Sequence, residues 1–291
     1  MTALTVEWSD PQEYLEALKE FLSPLRHTVF WNPCWHAHTD LAHFDFVVSR
    51  LTPHTPIESA SVLDAGCGSA GLLIALWKLR AAKLVGIELD ANVSRLAITR
   101  TRTLPNVRIL QADAQIAILE NQTFDIVISN HVIEHVNQHE LYIRTLRRLM
   151  KPGAILFIAC PNRLWPLEAH SRLPLIHYLP RPLAKRIGRC LESGAMLPAH
   201  LRDRGRTSTL YETDFTYFRL KRMLSRNQFQ ILEFNDPPEF RARTSASALG
   251  HVVAKFRFYA RRLWARLLSR DLYAICRRTP DAAIRDGLPE L

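Results

Sequence analysis

From Ser61 to Cys160 the chain alternates short apolar runs with helix-length amphipathic segments. Strands are predicted at Ser61–Ala65, Lys83–Glu88, Val107–Leu110, Phe124–Asn130 and Ala154–Cys160. The runs Phe-Asp-Ile-Val-Ile-Ser and Ile-Leu-Phe-Ile-Ala are almost continuously apolar, as strands buried on both faces are. Such alternation predicts βαβ units, a parallel sheet with helices on both sides. Upstream, Asp10-Pro11 reads as an N-cap followed by proline at the first helical position, and a second helix is expected from about Trp35 to Leu51. Downstream, a helix over Thr213–Asn227 and strands at Phe229–Phe234 and Leu272–Cys276 extend the sheet.

Two segments depart from the alternation. From Pro161 to about His200 the chain is punctuated by Pro166, Pro174, Pro180 and Pro182 and mixes Trp165, Leu175 and Tyr178 with basic residues. From Ala248 to Ser269, Leu249, Val252, Val253, Phe256, Ala260, Leu263, Trp264 and Leu267 recur at helical spacing. Lys255, Arg257, Arg261, Arg262, Arg266 and Arg270 fill the rest of that wheel. The expected organisation is therefore N-terminal helices over 1–54, a core over 55–163, a basic cap insertion over 164–208, and a C-terminal part over 209–291 carrying the inserted helix 248–269.

Charge sharpens this division. Residues 1–160 hold 14 Lys and Arg against 16 Asp and Glu, a net of −2, whereas residues 161–291 hold 24 against 12, a net of +12. A basic partner surface, whether for an anionic membrane or a nucleic acid, would thus lie apart from the neutral first half. The longest apolar stretch, Ile155–Cys160, is far below the roughly 18 residues of a spanning helix. Glu7, Asp10 and Glu13 precede the first lysine with no apolar run behind them, so a cytoplasmic protein is expected, with the inner face of the membrane as a peripheral option. Five dispersed cysteines with no Cys-x-x-Cys pair argue against a disulfide framework and a structural zinc site.

The candidate chemistry begins at Asp64-Ala65-Gly66-Cys67-Gly68-Ser69-Ala70-Gly71, between the first strand and a helix. Gly66 and Gly68 permit close approach of a ligand to the backbone, and the helix N-terminus offers N–H groups. Gly66-x-Gly68-x-x-Gly71 alone also fits a dinucleotide site. Asp64 separates the two readings, because a carboxylate there repels a pyrophosphate and attracts the ammonium end of an amino-acid ligand. Glu88, at the end of the second strand, is placed to accept from ribose hydroxyls, and Asp113, after the third, from an adenine amino group. Taken singly, each has a plainer explanation: a turn carboxylate, a solvated strand end and an N-cap.

The ordered set Leu63-Asp64-x-Gly66-Cys67-Gly68, Gly86-Ile87-Glu88, Ala112-Asp113-Ala114, Phe124-Asp125, Glu134-His135-Val136 and Lys151-Pro152-Gly153 followed by Pro161-Asn162-Arg163 resembles class I S-adenosylmethionine-dependent methyltransferases. The resemblance is to the small-molecule branch that holds the ubiquinone-biosynthesis methyltransferases. It implies a Rossmann-like α/β fold, a parallel sheet with an antiparallel C-terminal strand, plus helical cap insertions. It also implies S-adenosylmethionine as cofactor, held by Asp64, Gly66, Gly68, Glu88, Leu89, Asp113, Ala114 and Asn130. Ala70 stands where the family usually has a third glycine; at the start of a helix it is expected to be tolerated.

Methyl transfer needs acceptor and methyl donor held in line and water excluded. His131, Glu134 and His135 follow the fourth strand and are the catalytic candidates, with either histidine as base or the group in a structural role. In the resembling O-methyltransferases a carboxylate stands at the position of His131, so no metal is assigned. Arg163, Trp165 and His170, after the fifth strand, are candidates for the acceptor shell, or simply a loop capping the sheet. His36, His38 and His43 with Trp31 and Trp35 are read as helix packing or a substrate lid. The expected reaction is methylation of a small acceptor, with a lipid-like one as an option, and oxygen favoured over carbon or nitrogen. An RNA methyltransferase using the basic half is the alternative, although no RNA-binding module is recognisable.

Overall fold

The computed structural model describes residues 8–26, 31–117, 119, 123–168, 174–192, 215–235, 263–264 and 266–280. Seven strands, β1 (Ser61–Ala65), β2 (Lys83–Glu88), β3 (Val107–Gln111), β4 (Phe124–Asn130), β5 (Met150–Pro161), β6 (Phe229–Phe234) and β7 (Asp271–Arg278), form one sheet in the order β3-β2-β1-β4-β5-β7-β6. The first five run parallel, and β7 pairs antiparallel with both β5 and β6. The predicted strands are all present. β5 is longer than expected because Met150 already pairs with Phe124.

Alternating residues of each strand point to opposite faces, and both faces are buried. Leu63, Val85, Val127 and Leu156 pack with Tyr142 and Leu146 of α6 (His139–Arg148) and Leu220 and Leu224 of α8 (Tyr217–Arg226). On the opposite face, Val62, Leu84, Ile126 and Phe157 pack with Val47 and Leu51 of α3 (Asp45–Leu51) and Leu72, Leu73 and Leu76 of α4 (Gly71–Lys78). Strand order reverses between β1 and β4, which leaves a crevice outside their carboxyl ends, where ligands bind in open α/β sheets. At the opposite end of these strands Asp125 accepts from the Ser61 amide at 2.9 Å and from Lys151 Nζ at 2.8 Å. The Phe124-Asp125 and Lys151-Pro152-Gly153 motifs thus tie β1, β4 and β5 together away from the crevice.

Three local expectations are corrected. Helix α1 spans Gln12–Phe21 with Pro11 in the cap position, and Asp10 does not cap it. Both Asp10 oxygens instead meet the buried Arg100, at 2.6 and 3.0 Å. The single helix expected over Trp35–Leu51 is broken into α2 (Trp31–Thr39), a 3-10 turn (Leu41–Phe44) and α3, because the Asp40 carboxylate accepts from the Ala42 amide and starts a new turn. The helix expected from Thr213 begins at Tyr217, where the Thr216 hydroxyl accepts from the Arg219 amide.

The expected amphipathic helix 248–269 is described only at its end, where residues 263–264 and 266–268 are helical. Leu263, on the expected inward stripe, is 56% exposed there. Within the expected cap, Ile176 of a 3-10 turn (Ile176–Tyr178) and Ala184 of α7 (Arg181–Glu192) make a small separate core.

Candidate active site

The carboxyl ends of β1 and β2 bring the first site residues together. Their parallel register sets Asp64 beside Gly86 and Ala65 beside Ile87, so Glu88 comes level with Gly66 at the start of the glycine loop. Gly66 is at φ 99° and Gly68 at φ 53°, and a side chain on Gly66 would strike Val132 at 2.2 Å. The loop therefore lies flat against the β4 side of the crevice. Ala70 adopts φ 64°, a left-handed cap before α4, which gives the physical reason for a glycine preference at this position. The Ala70 methyl is fully buried in the core beside α4, in a backbone conformation that costs an L-residue about 1–2 kcal/mol.

A cavity of about 690 Å³ opens over this loop, lined by Gly66, Gly68, Glu88, Leu89, Asp113, Ala114, Gln115, His131, Val132 and His135 among others. Glu88 accepts from the Gly68 amide at 3.0 Å and the Asp90 amide at 2.9 Å, which fixes its carboxylate at the cavity wall. Asp113 accepts from the Gln115 amide at 2.8 Å and the Gln115 side chain at 3.1 Å, so it serves a turn as well as the wall. Asp64 is only 2% exposed, and its Oδ1 has no hydrogen-bond partner among the described residues. Burial, and then the nearby Glu88 charge, push its carboxyl up to about 7. A buried carboxyl oxygen without a hydrogen-bond partner is uncommon in a folded protein, and this one lies at the glycine loop.

Beyond β4 the chain turns at His131, φ 57°, an uncommon left-handed conformation for a histidine. Its amide donates to Ala159 O at 3.0 Å. His131 lines the first cavity and also a second of about 410 Å³, whose wall includes Phe46, Arg50, Asn130, Phe157, Asn235, Asp271 and Tyr273. Its Nδ1 lies 3.4 Å from Glu134 Oε1, and the Glu134 side chain is 1% exposed. Burial works to lower the His131 pKa, but the Glu134 carboxylate and, less strongly, Asp271 outweigh it and raise it above the ordinary value. Among the described residues no three His, Cys, Asp or Glu side chains are grouped to hold a metal ion.

Residues 35–233 match the family described as "Methyltransferase domain". The chain belongs to this methyltransferase family. An uncharacterized methyltransferase of Mycobacterium tuberculosis (strain ATCC 25618 / H37Rv) is 33% identical over 141 residues, 46% of this chain and 68% of that protein. The ubiquinone biosynthesis O-methyltransferase of Rhizobium etli (strain CIAT 652) is 28% identical over 185 residues, 62% of this chain and 70% of the relative. The fold is shared with Haemonchus contortus phosphoethanolamine N-methyltransferase 2, solved in complex with S-adenosyl-L-methionine, at TM-score 0.50 and 15% identity, over 82% of this chain and 53% of the other. The protein is an S-adenosylmethionine-dependent methyltransferase, with the Rossmann-like fold that the strand order displays.

Within this methyltransferase the sequence-derived residues separate into three groups. Gly66, Gly68, Glu88, Leu89, Asp113, Ala114, His131 and His135 line the larger cavity, with Asp64 buried close to Glu88. Asn130, expected on the cofactor, lies instead on the second cavity, because as the last residue of β4 it faces the side bounded by Phe157 and Tyr273. Arg163 and Trp165, expected near the acceptor, line neither cavity. The Arg163 amide donates to Phe215 O at 2.8 Å and its carbonyl accepts from His177 Nε2 at 3.0 Å, which holds the turn against the cap. His170 lies outside the described residues.

Sequence reasoning missed two arrangements. Arg50 is paired with Glu233 at 3.0 Å and sits over the rings of Phe46 and Tyr273 at 5.3 and 5.4 Å, while Tyr273 Oη donates to Glu233 at 2.6 Å. Phe46, Arg50 and Tyr273 of this group wall the second cavity, from α3 and β7, and Glu233 of β6 holds the last two of them. The other is a clamp on the glycine loop. Arg100 of α5 (Ala91–Thr101), 1% exposed, holds Asp10, stacks over Tyr14 at 4.7 Å and donates to Ser69 O at 3.3 Å. His38 Nδ1 meets the Ser69 hydroxyl at 2.9 Å, which gives one of the N-terminal histidines a place beside the loop. No spacing rule could find either, since the partners are far apart in the chain.

Proposed function

We propose that this methyltransferase methylates a hydroxyl of a small, largely apolar and aromatic acceptor held in the second cavity. The observation that carries this is the position of His131 on both cavities, between the cofactor wall and the aromatic wall of Phe46, Phe157 and Tyr273. S-adenosylmethionine supplies an electrophilic methyl group on its sulfonium. The chain's own tasks are the following: Asp64 offers its unpartnered carboxylate oxygen to the cofactor's ammonium, Glu88 its remaining lone pairs to the ribose, and Asp113 its carboxylate to the adenine side. His131, in its neutral form, takes the acceptor's hydroxyl proton, and Glu134 stabilises the imidazolium that results. The aromatic wall excludes water and orients a planar group.

The activity named for the ubiquinone biosynthesis O-methyltransferase relatives supports oxygen as the methylated atom. An RNA acceptor has less support, since Arg50, the one basic residue other than His131 on the second cavity, is already paired with Glu233. The test is calorimetric and kinetic. Glu88→Ala should weaken S-adenosylmethionine binding by about 1–3 kcal/mol, the usual size for loss of charge-assisted hydrogen bonds. Tyr273→Ala should leave that affinity unchanged while turnover on phenolic acceptors falls at least about tenfold, a barrier change of ~1.4 kcal/mol. Unchanged cofactor affinity in Glu88→Ala would refute the ribose role, and unchanged turnover in Tyr273→Ala would refute the acceptor cavity.

A further inference from the structure

A third cavity, of about 420 Å³, lies between α6 and α8 and shares no lining residue with the other two. Four arginines converge on it: Arg144 from α6, and Arg219, Arg222 and Arg226 from α8. The α8 residues stand at i, i+3 and i+7 and therefore share one face, opposite the buried Leu220 and Leu224 that anchor the helix. One carboxylate, Glu140, also lines the cavity, and it accepts from Asn227 Nδ2 at 2.8 Å. Arg219 is held in place by the Phe215 ring at 5.0 Å and His139 Nδ1 at 3.3 Å. Among the described residues Arg144, Arg222 and Arg226 make no ion pair and no hydrogen bond.

Like charges gathered on one helix face and across a groove repel one another, at a cost to the fold. A concave site with converging guanidinium forks matches the tetrahedral oxygens of a phosphoryl group, since each fork can donate two parallel hydrogen bonds. The volume suits a small phosphorylated molecule or a single headgroup better than an extended polyanion, which would need a track of charges. We infer that this groove binds a phosphoryl group, separately from cofactor and acceptor. The two sources of that chemistry are a free phosphate ester and the headgroup of an anionic lipid.

The experiment titrates inorganic phosphate and glycerol 3-phosphate by calorimetry at about 0.15 M salt, where diffuse surface attraction is largely screened. In parallel, co-sedimentation compares phosphatidylglycerol with phosphatidylcholine vesicles. Saturable binding of a free phosphate, weakened about tenfold by Arg144→Gln and again by Arg222→Gln, supports the site with a soluble ligand. Binding to phosphatidylglycerol but not phosphatidylcholine vesicles, lost in the same variants, supports it with a lipid headgroup. Arg222→Lys should restore only part of the loss, because it keeps the charge without the fork. Unchanged S-adenosylmethionine affinity in all three variants checks their folding and separates this result from the cofactor assignment. No binding to any of these probes, or binding that Arg144→Gln and Arg222→Gln leave intact, overturns the inference.

Discussion

His131 combines a left-handed backbone, a place on two cavities and a carboxylate neighbour. Its raised pKa means that the proton must leave it before it can act as base, so turnover should climb with pH through a midpoint above the ordinary 6.5. The measurement is the pH profile of kcat/KM. Glu134→Gln should move that midpoint downward and lower kcat more than it changes cofactor affinity; a profile that the substitution leaves in place would remove Glu134 from the mechanism. At this scale the sequence was legible for residues placed by their own strand end or adjacent turn: Glu88 and Asp113 line the larger cavity, and Asp64 is buried beside Glu88. It was not legible for Asn130, whose face depends on the strands beside it, nor for Arg163, whose partners Phe215 and His177 lie 52 and 14 residues away.

Secondary-structure elements were readable where both faces of a strand are buried, since continuous apolar runs leave β4 and β5 few alternatives. Helix boundaries were less so, because side chains such as Asp40 compete locally for backbone amides. Asp10 has the residue type and position of an N-cap, yet a buried guanidinium 90 residues on takes its carboxylate. That pairing fastens α1 to α5 and, through Ser69, to the glycine loop. Asp10→Asn leaves the Arg100 charge buried with less compensation and should cost about 3 kcal/mol or more of stability, as breaking a buried pair does. It should also weaken S-adenosylmethionine, because Ser69 loses a fixed neighbour. Urea unfolding and calorimetry measure both; a variant as stable as the parent would show the clamp to be unimportant.

At the scale of the whole molecule the sheet places the Asp64 carboxyl at its buried centre, with no hydrogen-bond partner for Oδ1 among the described residues. Its pKa near 7, against an ordinary 3.8, makes the free protein hold a proton that the unfolded chain releases. Between about pH 4 and pH 7 the folded state therefore binds more protons, so stability falls as pH rises through that window and levels off above it. Over that window the loss amounts to at most about 4 kcal/mol. Thermal unfolding at pH 5 and pH 8 should reveal this slope in the parent, and Asp64→Asn should flatten it while raising stability at pH 8. The same variant should lose S-adenosylmethionine affinity, because the carboxylate that destabilises the empty fold is the one a cationic ligand completes. Cofactor added to the parent should accordingly raise its unfolding temperature more at pH 8 than at pH 5. Equal stabilisation at both values would mean that Asp64 is ionised in the free protein and that its burial is compensated by some other group.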